Sequence, residues 1–291
     1  MTPLRTSVWA PQWCRHEMPP AKVDKIRLQH NFGRQAARYD QFAVVQRRLA
    51  EILVESLLNS GQSFDRILEI GCGTGYLTGL LRRAFPQARL TALDLAPAAV
   101  QAAQARLADT GGIDWLIADG EQEVPGCFDL LTSSSVFQWF SQPAQACQRY
   151  FQALRPGGVL AFATLGPLTF QELAQSFVQA GKLWPELPVP DIPARHFADG
   201  QDWQEFMVQA GFQDIGRRQE VWPEVYADLW AFLRAVRGMG ATSTRPQFLP
   251  RRLLAAMAAY YHDNFSRPGG IQVTYEVMWL QGRKPGDREP S

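Results

Sequence analysis

Three glycines at alternate positions, Gly71-Cys72-Gly73-Thr74-Gly75, follow directly on an apolar run that carries one acid, Ile67-Leu68-Glu69-Ile70. Glycine lets backbone approach a ligand with no Cβ in the way, so the segment has the chemistry of a strand that turns beneath a nucleotide. A second acid, Asp94, closes the next apolar run, Leu90-Thr91-Ala92-Leu93-Asp94. That is where a carboxylate holds a ribose, about 20 residues beyond the glycine turn. The glycine spacing is G-x-G-x-G and departs from the dinucleotide fingerprint, which argues against a nicotinamide-dependent dehydrogenase. Ser133, Ser134, Ser135 and Gln138 fall at the end of a later apolar run, but no G-x-S-x-G surrounds them, so no serine nucleophile is expected. His16, His30, His196 and His262 form no metal-spaced pair, and no metal site is expected.

These residues need elements to hold them. Apolar periodicity and turn residues predict helices over 24–39 and 43–58, then an alternation of strand and helix. Strands are expected at 66–70, 89–94, 113–118, 128–133 and 159–164. Helices are expected at 75–85, from Pro97 to about 108, and at 143–154, with a tight turn at 155–158. Such alternation implies parallel βαβ units and a doubly wound sheet. After Gly166 the rhythm changes. A helix at 169–180 leads into a stiff loop with four prolines, Pro185, Pro188, Pro190 and Pro193. A helix at 202–211, a strand at 212–221, and helices at 226–237 and 250–265 follow. A final strand at 271–281 is expected to close the sheet. The helices ahead of it are surplus to a minimal α/β sheet and suit a lid over the ligand crevice.

Bulk properties narrow the function classes. The 291 residues, 46% hydrophobic, suffice for one large α/β domain. Net charge is +1, from 29 basic and 28 acidic residues, which does not suggest a nucleic-acid binder acting through bulk charge. No apolar run approaches the roughly 18 residues of a membrane span. Cys14, Cys72, Cys127 and Cys147 lie far apart with no C-x-x-C, so neither a zinc site nor a disulfide framework is expected, and a cytoplasmic setting fits. Residues 1–23 hold Trp9, Trp13 and prolines without an apolar core, and read as a tail rather than a signal peptide.

The string Leu68-Glu69-Ile70-Gly71-Cys72-Gly73-Thr74-Gly75-Tyr76-Leu77-Thr78 resembles motif I of the class I S-adenosylmethionine-dependent methyltransferases. Asp119-Gly120, Ser133 to Trp139, and Leu154-Arg155-Pro156-Gly157-Gly158 follow in the same order. Four further segments resemble, more narrowly, the malonyl-acyl-carrier-protein O-methyltransferases of biotin synthesis. They are Phe32 to Asp40, Ala161 to Leu173, Phe232 to Ala241, and Val273-Thr274-Tyr275-Glu276-Val277-Met278-Trp279. The resemblance spans roughly residues 25–284. It implies a Rossmann-like, mostly parallel seven-stranded sheet with N-terminal helices and a helical lid insertion before the last strand. A single domain at 24–291 is expected, with the cofactor core at about 60–165 and the insertion at about 167–268.

The resemblance also implies site residues and a reaction. Gly71, Cys72, Gly73, Thr74 and Gly75 would lie against the methionine part of S-adenosylmethionine, with Glu69 orienting the turn or meeting the ammonium. Asp94 would hold both ribose hydroxyls, since an ionised carboxylate offers two acceptors. Asp119 would accept from the adenine amino group, with Leu95, Gly120 and Ser134 beside it. The free carboxylate of a malonyl thioester, on acyl carrier protein or coenzyme A, would take the methyl group. Such a carboxylate is ionised at neutral pH, so no general base is required, and positioning and desolvation carry catalysis. A planar arginine fork suits the substrate carboxylate. Arg234 is the first choice and Arg237 the second, with the Tyr39 hydroxyl also in reach. Arg245, Arg251 and Arg252 are expected to dock an acidic carrier protein, with Arg82 and Arg83 a weaker surface. Phe170, Trp184 and Trp230 are candidates for the wall along the pantetheine arm. Rival readings are a small-acid carboxyl methyltransferase similar to the trans-aconitate enzymes, and a methyltransferase-like assembly protein acting on a protein partner. The oligomeric state is left open, a monomer being compatible.

Overall fold

The computed structural model describes residues 24–122, 124, 126–240 and 249–286. The first 23 residues and Arg245 therefore lie outside the described residues. Two helices, α1 (Lys25–Phe42) and α2 (Val44–Asn59), precede the sheet. Then come β1 (Arg66–Ile70), α3 (Tyr76–Ala84), β2 (Arg89–Asp94), α4 (Pro97–Arg106), β3 (Ile113–Ile117), β4 (Phe128–Ser134), α5 (Pro143–Ala153) and β5 (Leu154–Leu165). The second half holds α6 (Gln171–Gly181), α7 (Gly200–Ala210), β6 (Gln213–Tyr226), α8 (Leu229–Gly238), α9 (Arg251–Phe265), a two-residue β7 (Ser266–Arg267) and β8 (Gly270–Arg283).

The strand order is β3-β2-β1-β4-β5-β8-β6, with β7 paired to β8 alone. Strands β1 to β5 are parallel and β8 runs antiparallel to both of its neighbours. Order reverses at β1, so the carboxyl ends of β1, β2 and β4 surround the crevice where open α/β sheets bind ligands. The expected doubly wound, mostly parallel sheet is present.

Three differences have physical causes. The last strand does not close the sheet but inserts between β5 and β6, and residues 273–280 of it are all buried. Strand β6 is the edge and continues to Tyr226, past Pro223. A proline lacks a ladder donor, which an edge strand tolerates. Residues 155–158 do not form a separate turn. They are an irregular start to β5, with Gly157 at φ +79° and a register shift between Phe128 and Leu130.

Helix α1 covers the crevice. Asp24 caps its first turn by accepting from the Arg27 N–H at 3.1 Å. Lys25 Nζ lies 2.5 Å from Asp119 Oδ2 and also pairs with Glu121, and Gln29 donates to the Leu95 carbonyl at 2.9 Å. At its other end Asp40 accepts from the Thr74 hydroxyl and from Arg106, both at 2.8 Å. These contacts run from the cover to the ends of β2 and β3 and to the glycine turn. Residues 166–170 are tied to β8 by Glu276, which accepts from the Leu168 N–H at 2.7 Å and from Gln219. Glu276 is buried 2% exposed, so the acid of the Thr274-Tyr275-Glu276-Val277 segment is structural.

Candidate functional site

The glycine turn is built by backbone geometry that side chains would forbid. Gly71 has φ +76°, and a Cβ there would meet Val136 Cγ2 at 2.3 Å. Gly73 has φ +53°, but a Cβ there would meet nothing within 4 Å. That open space belongs to a cavity lined by Gly71, Gly73, Asp94, Leu95, Asp119 and Gly120, with Lys25 and Phe32 of α1 on the far side. The N–H groups of Gly71 and Cys72 both donate to the Leu93 carbonyl at 2.8 Å, which locks the turn to the end of β2.

Asp94 supports that turn directly. Its Oδ2 accepts from the Gly73 N–H at 2.9 Å and its Oδ1 from the Ala96 N–H at 2.8 Å. Burial raises the carboxyl above the ordinary range, and these backbone donors pull it back. Each carboxylate oxygen has about two acceptor sites, so a ribose hydroxyl in the cavity still finds one on each. Asp119 accepts from the Glu121 N–H at 3.0 Å and from Lys25, and its neighbour Gly120 has room for no Cβ, which would meet Ile70 Cγ2 at 2.5 Å.

A smaller cavity continues beneath the turn, past Glu69, Cys72, Thr74 and Ser134. Glu69 is fully buried, and neither carboxylate oxygen has a hydrogen-bond partner among the described residues. Burial pushes its carboxyl up to about 8, with Thr78 beside it pulling back and Asp94 adding to the rise. A buried acid facing a cavity, with no cation paired to it among the described residues, fits a cationic group such as an amino-acid ammonium. Burial also raises the Cys72 thiol, so it is no nucleophile at neutral pH. Gly75 stands apart from the other sequence-predicted positions. It lines none of these cavities but begins α3 at φ +81°, where a Cβ would meet Ala103 at 3.0 Å.

The raised carboxyl makes a prediction for the ligand-free protein. Glu69 is near 8 when folded, against an ordinary 4.5. Between those values the unfolded chain ionises and the folded one holds its proton, so stability falls as pH rises and levels off above about 8. The difference is worth roughly 5 kcal/mol. Thermal melts of Glu69→Gln should lack this fall between about pH 5 and about pH 8; a parallel fall in the variant would remove Glu69 as its source.

A third cavity opens on the other side of α1. Trp139, Phe170, Phe197 and Met239 give it an apolar wall, and Gln46, Gln138 and Thr169 add polar groups. Phe32 packs edge-on against Trp139 with centroids 6.0 Å apart, and Trp139 against Phe197 at 5.4 Å. Gln138 is committed to structure, donating to the Ser135 carbonyl and accepting from Thr164, both at 2.8 Å. Tyr39 and Ser135 line all three cavities. Ser135 holds φ +62°, a conformation that costs a non-glycine residue free energy and marks sites held by their surroundings. Its buried hydroxyl has no partner among the described residues. Burial raises the Tyr39 phenol, followed by Asp40 and Asp94, so it remains a proton donor.

Several sequence-predicted residues stand elsewhere. Arg234 and Arg237 are exposed on the outer face of α8 and line none of these cavities, because the helix turns Phe232, Ala235 and Met239 inward. Arg252 is paired with Glu186 at 2.8 Å and lies over Trp184, whose ring is therefore part of that surface. Arg82 clamps the carbonyls of Ala88 and Gly112. Trp230 is 48% exposed, and of the three expected wall aromatics Phe170 alone reaches the third cavity. Sequence reasoning missed Lys25, Gln29, Gln46 and Trp139. Their only signal was position, since Lys25 and Gln29 share the helical face of Phe32. Among the described residues no group of histidine, cysteine and acid side chains suits a metal ion, and no helix is long and apolar enough to cross a membrane.

Strand order, glycine turn and crevice are those of the class I methyltransferases. Residues 68–160 match a family model described as a methyltransferase domain. The chain resembles the YcgJ protein of Bacillus subtilis in fold, with a TM-score of 0.58 at 13% identity over 81% of this chain and 99% of that one. It likewise resembles the N-methyltransferase NodS of Bradyrhizobium japonicum, solved with S-adenosylhomocysteine, with a TM-score of 0.51 at 17% identity over 89% and 99%. Sequence relatives are closer. The malonyl-[acyl-carrier protein] O-methyltransferase of Paenibacillus sp. (strain JDR-2) is 38% identical over 88% of this chain and 97% of its own length. That of Anoxybacillus flavithermus is 36% identical over 89% and 97%. The chain belongs to the malonyl-[acyl-carrier protein] O-methyltransferase family.

Proposed function

We propose that the protein uses S-adenosylmethionine to methylate the free carboxylate of malonyl-acyl carrier protein, giving the methyl ester. The observation that carries this reading is the meeting of three cavities at Tyr39 and Ser135. One suits a nucleoside, one an amino-acid end, and one an uncharged arm with a polar tip. When bound, S-adenosylmethionine supplies a methyl on a sulfonium; a carboxylate oxygen takes the methyl, the C–S electron pair stays on sulfur, and no proton moves.

The chain's own residues then have defined tasks. Asp94 holds the ribose hydroxyls, Asp119 accepts from the adenine amino group, and Leu95 and Gly120 flank the base. Glu69 balances the ammonium, while Gly71, Cys72, Gly73, Thr74 and Ser134 shape the methionine end. Tyr39 and Ser135 donate to the malonyl carboxylate with neutral hydroxyls, with Gln46 nearby. Neutral donors orient the nucleophile without withdrawing its charge as an arginine fork would, and Arg234 and Arg237 are placed too far outward for that role. Trp139, Phe170 and Phe197 exclude water along the thioester arm, which strengthens the attraction between carboxylate and sulfonium.

Methylation hides a charge that fatty-acid elongation enzymes would otherwise meet, and this supports a place early in biotin synthesis, in the cytoplasm. The names of the relatives favour carrier protein over coenzyme A as the thioester. Activity with malonyl thioester should exceed that with trans-aconitate by about 100-fold or more in kcat/KM, since the apolar wall has no basic group for further carboxylates. Equal use of both acids would replace this reading with that of a small-acid methyltransferase.

A further inference from the structure

The outer faces of α1 and α8 carry charge that nothing in the cofactor site uses. On α1, Arg34 and Arg38 stand one helical turn apart and are exposed. On α8, Trp230, Arg234 and Arg237 recur at helical spacing on the exposed face. None of these four arginines makes a hydrogen bond or ion pair among the described residues.

The two faces adjoin. The end of α8 packs onto α1, where a Cβ on Gly238 would meet the Phe42 ring at 2.4 Å and one on Gly240 would meet the Asn31 carbonyl at 3.1 Å. Between those glycines, Met239 is buried and lines the third cavity. On α1, Phe32 and Tyr39 turn inward to the same cavity while Arg34 and Arg38 turn outward. The arginines therefore flank the junction through which α1 and α8 both reach the cavity with the apolar wall.

We infer that Arg34, Arg38, Arg234 and Arg237, with Trp230 among them, dock the acidic carrier protein whose malonyl arm enters that cavity. The inference rests on the proposed reaction and adds its docking surface. Arginines without a partner among the described residues, on two packed helices, offer planar forks to the carboxylates of an acidic helix, and Trp230 supplies apolar area within the patch. Such contacts act chiefly on association and are screened by salt. The surface also differs from the one expected at Arg251 and Arg252, where Arg252 already has Glu186 as its partner.

Two charge-reversed double variants, R34E/R38E and R234E/R237E, test this with two substrates and one binding measurement. Each should lower kcat/KM for malonyl-acyl carrier protein at least tenfold at low salt and flatten its salt dependence. With malonyl-pantetheine, which has no carrier, each should stay within about twofold of wild type. Binding of unacylated carrier protein should weaken in parallel. Full carrier binding in both variants overturns the inference, as does an equal loss on malonyl-pantetheine. So does capture by the wild type of anionic vesicles, or of a second copy, through these arginines in place of carrier. Wild-type protein that binds carrier through the arginines but transfers no methyl would leave the docking surface standing and remove the proposed reaction.

Discussion

Asp94→Ala will weaken S-adenosylmethionine binding by about 100-fold and leave the fold in place. Asp94 stands at the end of β2 with one oxygen on the Gly73 N–H and the other on the Ala96 N–H. In the proposed complex each oxygen would also accept from a ribose hydroxyl, and a hydrogen bond to a charged group contributes about 1.5–3 kcal/mol. Loss of both, partly replaced by water, amounts to about 3 kcal/mol, or a factor of about 100 in Kd. Two backbone donors also lose their acceptor, which costs some stability. The buried charge is removed with them, and because burial already raises this carboxyl, the net loss is smaller than the sum of the bonds. Calorimetric titration with S-adenosylmethionine, beside a thermal melt, separates the effects. An affinity within about threefold of wild type would remove Asp94 from the ribose site.

Tyr39→Phe should act on turnover and leave the cofactor alone. The phenol lies where all three cavities meet and keeps its proton, so it has an O–H to donate to a carboxylate at neutral pH. A donor that holds the carboxylate in line with the methyl acts mainly through orientation, where a small misplacement costs heavily. The expected loss in kcat is about 10–100-fold, with cofactor Kd within about twofold. The ring remains, so the packing of Phe32 on Tyr39 at 6.5 Å persists. Ser135→Ala should lose less, since a small hydroxyl is more readily replaced by water. A Tyr39→Phe variant with wild-type kcat, or with weakened cofactor binding as its sole defect, would move the substrate carboxylate elsewhere.

The cofactor half of the site was legible because its signals are local. Glycines that need positive φ, and acids at strand ends, follow from a few adjacent residues, and ten of the eleven expected positions line the cavities. Gly75 lines no cavity for a different reason: its space is taken by Ala103 of α4, a tertiary contact that spacing does not reveal. The substrate half was less legible because it is assembled from α1, β4, the 193–197 segment and the end of α8. Arg234 was chosen for its chemistry, yet helical phase alone places it opposite Phe232. Met239, seven residues beyond Phe232, lies on the buried face. The place of β8 between β5 and β6 was hidden for another reason. Strand order is set by long-range pairing, and an alternating pattern says that a strand is half-buried, not which neighbours it has.

Methyl transfer from labelled S-adenosylmethionine to malonyl-acyl carrier protein, with acetyl-acyl carrier protein as the control, tests the proposed reaction most directly. The expected result is label on the malonyl form alone, released by ester hydrolysis, since acetyl has no free carboxylate to accept it. No label on malonyl-acyl carrier protein, while S-adenosylmethionine still binds, would contradict carboxyl methylation and leave a methyltransferase whose acceptor is a different acid or a protein.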